Sequence, residues 1–236
     1  MWRGLLDLLF PRACCACGER PCEGAFCRSC TPLLEVAPAW RCRVCAGAAP
    51  TPPDRDRAAP ALPICPACRL RPPPFTEIAA PFLYGGAAGE AVHRLKYRGR
   101  REVAASLGTL VADSCRRLAT SADVIAPIAL HPDRRRERGF DQALLLARAI
   151  AKGAGRPCRA DLVRRIRDTG RQVGSDRAER ERNLAGAFVA SAAVRGMGIA
   201  LVDDVVTTGA TARAAATAVM EAGASRVVVL AVARAV

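Results

Sequence analysis

From about residue 76 onward, short continuous apolar runs alternate with longer stretches of helical period. The runs are Ala79–Tyr84, Asp123–Ile128, Ile199–Val202 and Val227–Ala233, and Leu162–Arg165 looks like another short strand. A short apolar run without alternation suits a strand covered on both faces. Gly89–Tyr97, Glu102–Ala119, Asp141–Lys152 and an Ala-rich segment ending near Ala222 carry the helical period between them. Alternating strands and helices predict an α/β fold, a parallel sheet with helices on both faces. Ala79–Tyr84 is expected at an edge, and Val227–Ala233 inside the sheet.

Before residue 76 the pattern changes. Ten of the twelve cysteines fall between residues 14 and 68. Eight of them form four C-x-x-C pairs: Cys14/Cys17, Cys27/Cys30, Cys42/Cys45 and Cys65/Cys68. A C-x-x-C turn points two thiolates at one ion, and two such turns complete a tetrahedral four-cysteine zinc site. Chain order suggests two consecutive ribbons, and an interleaved cross-brace satisfies the same spacing. A disulfide framework would need an oxidising compartment. The start, with Arg3 and an apolar patch interrupted by Asp7, lacks the features of a cleaved signal. The expected cofactor is therefore Zn2+ at two closed, structural sites.

Cys15 and Cys22 lie between ligands and are read as spectators. Cys115 and Cys158 stand alone and are read as buried small hydrophobes. So short a segment, poor in core residues, is expected to depend on metal for its fold. The expected division is a zinc ribbon domain over residues 1–75 and a second domain over 76–236. Arg71–Phe75 (RPPPF) forms a stiff linker between them, and Pro50–Pro63 a surface loop. Trp2, Leu5, Leu6, Leu9 and Phe10 give one face of a short helix that packs on the body or touches a membrane surface.

Charge narrows the partners. The 36 Lys and Arg residues outnumber 22 Asp and Glu, for a formal net charge of +14, and only Lys96 and Lys152 are lysines. Such an excess favours polyanions: nucleic acid, phosphorylated ligands or an anionic membrane surface. No apolar run approaches the ~20 residues of a spanning helix. The expected place is the cytoplasm, with the inner membrane face as an alternative. Arg94, Lys96, Arg98, Arg100 and Arg101 cluster around Tyr97, either as a solvated helix end or as a phosphate-backbone contact with one stacking ring.

The chemistry concentrates in IALVDDVVTTGAT, Ile199–Thr211. A strand runs into two adjacent carboxylates, Asp203 and Asp204, then Val205 and Val206. A turn of Thr207, Thr208, Gly209, Ala210 and Thr211 opens a helix. Unpaired N–H groups and the positive dipole end of a helix start favour phosphate. The carboxylates suit vicinal hydroxyls, or a divalent cation held through water. A phosphate at one end and a diol at the other describe a ribose 5-phosphate.

DDVVTTGAT resembles the phosphoribosyl-pyrophosphate (PRPP) motif of type I phosphoribosyltransferases. That resemblance places the ribose on Asp203 and Asp204 and the 5-phosphate on Thr207 through Thr211, with Mg2+ accompanying PRPP. It implies a pyrophosphate loop from Pro127 through His131, continuing into the cations Arg134, Arg135, Arg136 and Arg138. Lys96, Arg177 and Arg182 are further candidates for pyrophosphate or its loops. The Arg-rich stretch from Arg164 to Arg182 reads as a charged loop that closes over the reacting carbon, or as solvated disorder.

Over nearly the full chain the sequence is similar to the ComF family of ComFC/GntX-like competence proteins. The shared features are the C-x-x-C pairs, Lys96-Tyr97, Arg138-Gly139-Phe140-Asp141-Gln142, Gln172 with Arg177, Arg182 and Asn183, and DDVVTTGAT. Asp141 departs from the family's Asn. The resemblance implies a double zinc ribbon on a type I phosphoribosyltransferase fold, binding of single-stranded DNA, a link to DNA uptake in natural transformation, and a competence helicase as candidate partner. Two other functions fit the same residues. One is an active, amidophosphoribosyltransferase-like enzyme of nucleotide metabolism, moving phosphoribosyl from Mg-PRPP to an acceptor. The other is a zinc-stabilised interaction module with a vestigial pocket.

Overall fold

The computed structural model describes residues 13–19, 21–22, 24–50, 62–167 and 182–235. The amphipathic start, most of the Pro-rich insert, and the loop positions Gln172 and Arg177 lie outside the described residues.

Among the described residues, seven strands and seven α-helices organise the chain. In order they are α1 (Pro66–Leu70), β1 (Glu77–Ala79), β2 (Phe82–Leu83), α2 (Gly86–Tyr97), α3 (Val103–Ser114), α4 (Arg116–Ser121) and β3 (Val124–Pro127). There follow α5 (Pro132–Arg138), α6 (Gln142–Ala154), β4 (Val163–Arg165), β5 (Phe188–Ala190), β6 (Gly198–Val206), α7 (Ala210–Glu221) and β7 (Arg226–Arg234).

The main sheet is parallel, in the order β1-β7-β6-β3, with β2 also on β7. The last strand therefore lies inside the sheet, as the apolar run predicts. The edge run Ala79–Tyr84 is two strands, paired to β7 at Glu77–Ala79 and again at Phe82–Leu83. Pro81 lies between them and has no N–H for the ladder. Strands β4 and β5 form a separate antiparallel pair.

Period-2 alternation sends successive side chains of the long strands to opposite faces. Ala200, Val202, Val228 and Leu230 pack with α2, α3, α4 and α6. Ile199, Leu201, Val227 and Val229 pack with α7 and the β4–β5 pair. The helices supply matching stripes, such as Ala143, Leu146, Ala147, Ile150 and Ala151 on α6. The α/β expectation, helices on both faces included, is met.

Alanine and glycine let α3 and α6 approach closely. A Cβ on Gly108 would sit 2.3 Å from the Ala149 Cβ and 3.1 Å from the Leu146 carbonyl. We expect Gly108→Ala to force the helices apart and lower stability by about 1–3 kcal/mol. A chemical denaturation curve with an unchanged midpoint would show that the contact is not tight.

Two further elements depart from the sequence reading. The helix expected over Glu102–Ala119 breaks at Cys115, whose φ of −114° and ψ of 25° leave the helical region. The apolar period continues through Val111, Cys115 and Leu118, so no residue type signals the break. The Arg-rich stretch after His131 is not a loop but helix α5. Pro132 opens it, Asp133 occupies its first turn, and Arg135, Arg136 and Arg138 face the negative dipole end before Gly139 closes it.

The Cys-rich segment is sewn to the sheet edge. Ala37 donates to the Pro81 carbonyl (2.9 Å), Leu83 to Glu35 (2.7 Å) and Ile78 to Val44 (2.8 Å). Arg71–Phe75 is held against the body. Phe75 is buried in the core on the α7 face. Arg213 of α7 donates to the Arg71 and Pro72 carbonyls.

Candidate ribose-phosphate corner and paired four-cysteine groups

Strand β6 runs four residues beyond Val202, because Asp203, Val205 and Val206 continue its register with Ala231, Ala233 and Arg234 of β7. The two carboxylates are thus strand residues, held by the ladder. Asp204 is buried, at 3% exposure. Its Oδ1 accepts the Val205 N–H (2.7 Å) and pairs with Lys96 Nζ at 2.8 Å. Its Oδ2 is buried without a hydrogen-bond partner. Leaving such an oxygen unpaired costs free energy that a donor reaching it would recover.

Burial and the neighbouring Asp204 charge push the Asp203 carboxyl up to about 7, with Lys96 pulling the other way. Burial would lower the Lys96 ammonium, but the Asp204 charge outweighs it and raises it. The corner is therefore one carboxylate neutralised from within and a second poised near neutral pH. Among candidate residues, the Lys96–Asp204 pairing escaped sequence reasoning, since two motifs distant in the chain form it.

After β6 the chain turns through Thr207, Thr208 and Gly209 into α7. Gly209 has φ +80°, in the left-handed region that a side chain would strain. Thr208 Oγ1 accepts the Ala210 N–H at 3.3 Å. The following first-turn N–H groups have no helical acceptor behind them, which is the feature that suits an anion. Ala210 is buried, whereas Thr207 is exposed and Thr208 and Thr211 are half-exposed.

The pyrophosphate candidates divide between two cavities. Lys96, Arg134 and Arg138 line a pocket of about 240 Å3 with Tyr97 and Phe140. The Arg138 guanidinium stands 5.5 Å from the Tyr97 ring centre, and Tyr97 is 59% exposed. Pro127 and His131 line a larger cavity of about 890 Å3 with Arg135, Arg136, Asp141 and Arg164. Asp141 and Arg164 were not anticipated as its lining residues. His131 also caps α5, its Nδ1 accepting from the Asp133 N–H at 3.4 Å. Arg182 is exposed.

Asp141 accepts two backbone N–H groups, one with each carboxylate oxygen. Its Oδ1 caps α6 by accepting from Leu144 N–H (3.0 Å), and Oδ2 accepts from Leu130 N–H (3.4 Å) in the loop after β3. Asn offers one acceptor oxygen and so can keep the cap, but its NH2 group would face the Leu130 N–H donor. Asp141→Asn keeps the cap and loses the Leu130 contact, so it is expected to lower the melting temperature less than Asp141→Ala, which also loses the cap at about 1 kcal/mol. Equal losses in a thermal scan would show that the cap on Leu144 N–H is not what stabilises α6.

The eight C-x-x-C sulfurs form two groups, Cys14/Cys17/Cys27/Cys30 and Cys42/Cys45/Cys65/Cys68, each with its ligand atoms within 4.8 Å of one another. The pairing is consecutive, not cross-braced. Tetrahedral zinc with Zn–S near 2.3 Å requires sulfurs ~3.8 Å apart. The Cys17–Cys27 and Cys45–Cys65 sulfurs are 4.0 and 3.8 Å apart. The donor sets thus fit the ion.

The two groups repeat one geometry. Cys27 N–H points at Cys14 Sγ and Cys65 N–H at Cys42 Sγ, both at 3.3 Å. Burial raises both acceptor thiols, but backbone N–H groups outweigh it. They lower Cys14 to about 6 and Cys42 to about 7, toward the thiolate a metal needs. Cys15 and Cys22 stand outside both groups. Burial pushes the Cys15 thiol up to about 12 and Cys115 up to about 11, which makes them poor nucleophiles.

Among the described residues no helix is long and apolar enough to cross a membrane. No protein-family model matches the chain. It is 33% identical over 175 residues to the DNA utilization protein YhgH of Salmonella typhimurium, covering 72% of this chain and 77% of that protein. It is 30% identical over 145 residues to competence protein ComFC of Bacillus subtilis, covering 60% of this chain and 57% of that one. Among solved structures, it overlaps the B. subtilis glutamine PRPP amidotransferase complexed with ADP and GMP. The TM-score is 0.35 with 25% identity, over 54% of this chain and 26% of that one. TT1426 from Thermus thermophilus overlaps with a TM-score of 0.34 and 23% identity, over 53% and 71% of the two chains. With one residue in three shared across most of both proteins, and with two four-cysteine groups ahead of a parallel α/β sheet, the chain belongs to the ComF family.

Proposed function

We propose that this protein binds PRPP with Mg2+ at the corner between β6 and α7, binds single-stranded DNA on the adjoining basic surface, and serves DNA uptake or use. The observation that carries the reading is the unpartnered, buried Asp204 Oδ2 beside the half-buried Asp203, one turn away from an anion-suited helix start. The carboxylates accept from the ribose hydroxyls and anchor Mg2+, which supplies charge neutralisation of the pyrophosphate. Thr207 through Thr211 receive the 5-phosphate. Arg134 and Arg138 line, with Glu137 and the Asp204-bound Lys96, a pocket where phosphate groups can be neutralised. The names of the relatives, DNA utilization and competence, support the DNA role.

Tyr97 supports single-stranded DNA over duplex. Tyr97 is exposed, with the Arg138 guanidinium over its ring and the His93 ring beside it, and an aromatic surface next to a cation suits an unpaired base. Zn2+ is the ion we assign to both four-cysteine groups, where it holds the knuckles in register and has no open position for chemistry.

Calorimetric titration with PRPP and Mg2+, with and without a single-stranded oligonucleotide, tests the reading. One PRPP per chain and salt-sensitive oligonucleotide binding are expected. Heat from neither ligand would contradict it. Pyrophosphate release with an added amine or base would show an active transferase in place of a binding protein.

A further inference from the structure

We infer that Arg234 is a positioning residue that joins the second four-cysteine group to the ribose-phosphate turn, so that metal and phosphate binding stabilise one another. The inference rests on the assignment of that turn to the 5-phosphate. Arg234 ends β7, half-buried. Its Nε donates to the Cys45 carbonyl at 3.2 Å. Its Nη1 donates to the Val206 carbonyl at 3.1 Å and also faces those of Thr207 and Ala235. One rigid guanidinium thus touches the backbone of a metal-ligating cysteine and that of two residues where the acidic strand becomes the turn. The fit is tight: a Cβ on Gly47 would lie 3.2 Å from Arg234 Nη2 and 3.3 Å from Cys45 Sγ.

The first four-cysteine group has its own Arg contact, Arg94 Nη1 to the Cys17 carbonyl at 3.1 Å. Arg94 reaches the acidic corner only through α2, by way of Lys96. Arg234 spans knuckle and turn with a single side chain. A knuckle that loses its metal loses the fixed Cys45 carbonyl, and Arg234 then holds the turn from one side only. By linkage, a ligand that orders the turn must also strengthen the metal site by the same factor.

The test measures both ends in the full-length, two-zinc protein. Zinc release to a chromogenic chelator is followed with and without Mg2+ and PRPP, beside calorimetry of PRPP binding. In the wild type, PRPP is expected to slow release of one of the two zinc ions about tenfold. Arg234→Gln is expected to keep both zincs, lose that protection and bind PRPP about tenfold more weakly. Arg234→Lys replaces the planar fork by a point charge and should restore only part of the protection. If the wild type binds PRPP but its zinc release is unchanged, or Arg234→Gln protects as well as the wild type, Arg234 is not the link. If the wild type does not bind PRPP, the site assignment fails, and this inference with it. Should Arg234→Gln not fold, the wild-type and Arg234→Lys protection factors decide: equal factors overturn the role of the fork.

Discussion

Asp203→Asn with Asp204→Asn is expected to abolish detectable binding of Mg-PRPP while the protein keeps two zinc ions per chain. Each carboxylate oxygen offered to a ribose hydroxyl contributes about 1.5–3 kcal/mol as a charged hydrogen bond, so losing both weakens affinity by roughly 10²–10⁴. The single changes separate the two roles. Asp204→Asn strands Lys96 opposite a neutral amide and should destabilise the fold. Adding Lys96→Met to it should recover much of that stability without recovering binding.

Asp203→Asn should act in the other direction on stability. The carboxyl is raised from 3.8 to about 7, so the folded chain holds a proton between those pH values that the unfolded chain has lost. Folding stability therefore falls as pH rises through that window. Asp203→Asn should flatten this slope and add about 1 kcal/mol at pH 8. Ligand binding has the opposite sign. Mg-PRPP requires the ionised carboxylate, so wild-type affinity should grow as pH climbs through about 7, with proton uptake by buffer detectable in calorimetry. A pH-independent affinity would place Mg2+ elsewhere.

The second large effect is expected from the metal. Cys65→Ser should lower zinc content from two ions to one and cost about 5 kcal/mol or more. Structural zinc sites contribute free energies of ~10–16 kcal/mol to small domains, and one lost thiolate removes much of this. The physical reason lies in the cores around the metals. Among the described residues, the first is formed by Cys14, Cys27 and Cys30 with Ala16 and Ala87 as buried apolar partners and Phe26 and Leu34 partly buried against them. The fully buried members of the second are the cysteines themselves, Cys42, Cys65 and Cys68. Without ions each group keeps only a small apolar neighbourhood among the described residues, Phe26 and Leu34 at the first and Val44 and Ile64 at the second. The sheet is expected to survive, because its two faces are closed by α2, α3, α4 and α6 and by α7. Circular dichroism with zinc determination checks this: retained helix signal beside lost metal supports it, and full retention of stability in Cys65→Ser contradicts it.

What the sequence shows clearly is what lies contiguous within it. Ile199–Thr211 contains strand, acid pair, turn and helix in one stretch, and each C-x-x-C is a local turn. The alternation of apolar runs with helical period revealed the layers of the fold because the central runs, in β3, β6 and β7, are buried on both faces. Contacts between distant positions left no such trace. Nothing in the local pattern around Arg234 points to Cys45, 189 residues away. Lys96 reads as one more cation in a basic cluster, yet it neutralises Asp204. The choice between consecutive and interleaved cysteine pairing is likewise three-dimensional. Helix α5 escaped notice for another reason: it is short and has no apolar face, so only its Pro132 start and Gly139 end speak for it.

A crystal structure of the zinc-loaded protein with Mg2+ and PRPP tests the central claim most directly. The ribose hydroxyls should lie within hydrogen-bond distance of Asp203 and Asp204, with Asp204 Oδ2 no longer unpartnered, and the 5-phosphate should sit on the Thr207–Thr211 backbone. PRPP bound elsewhere, or a corner still closed by Lys96 on Asp204 with no ligand in it, would contradict the account.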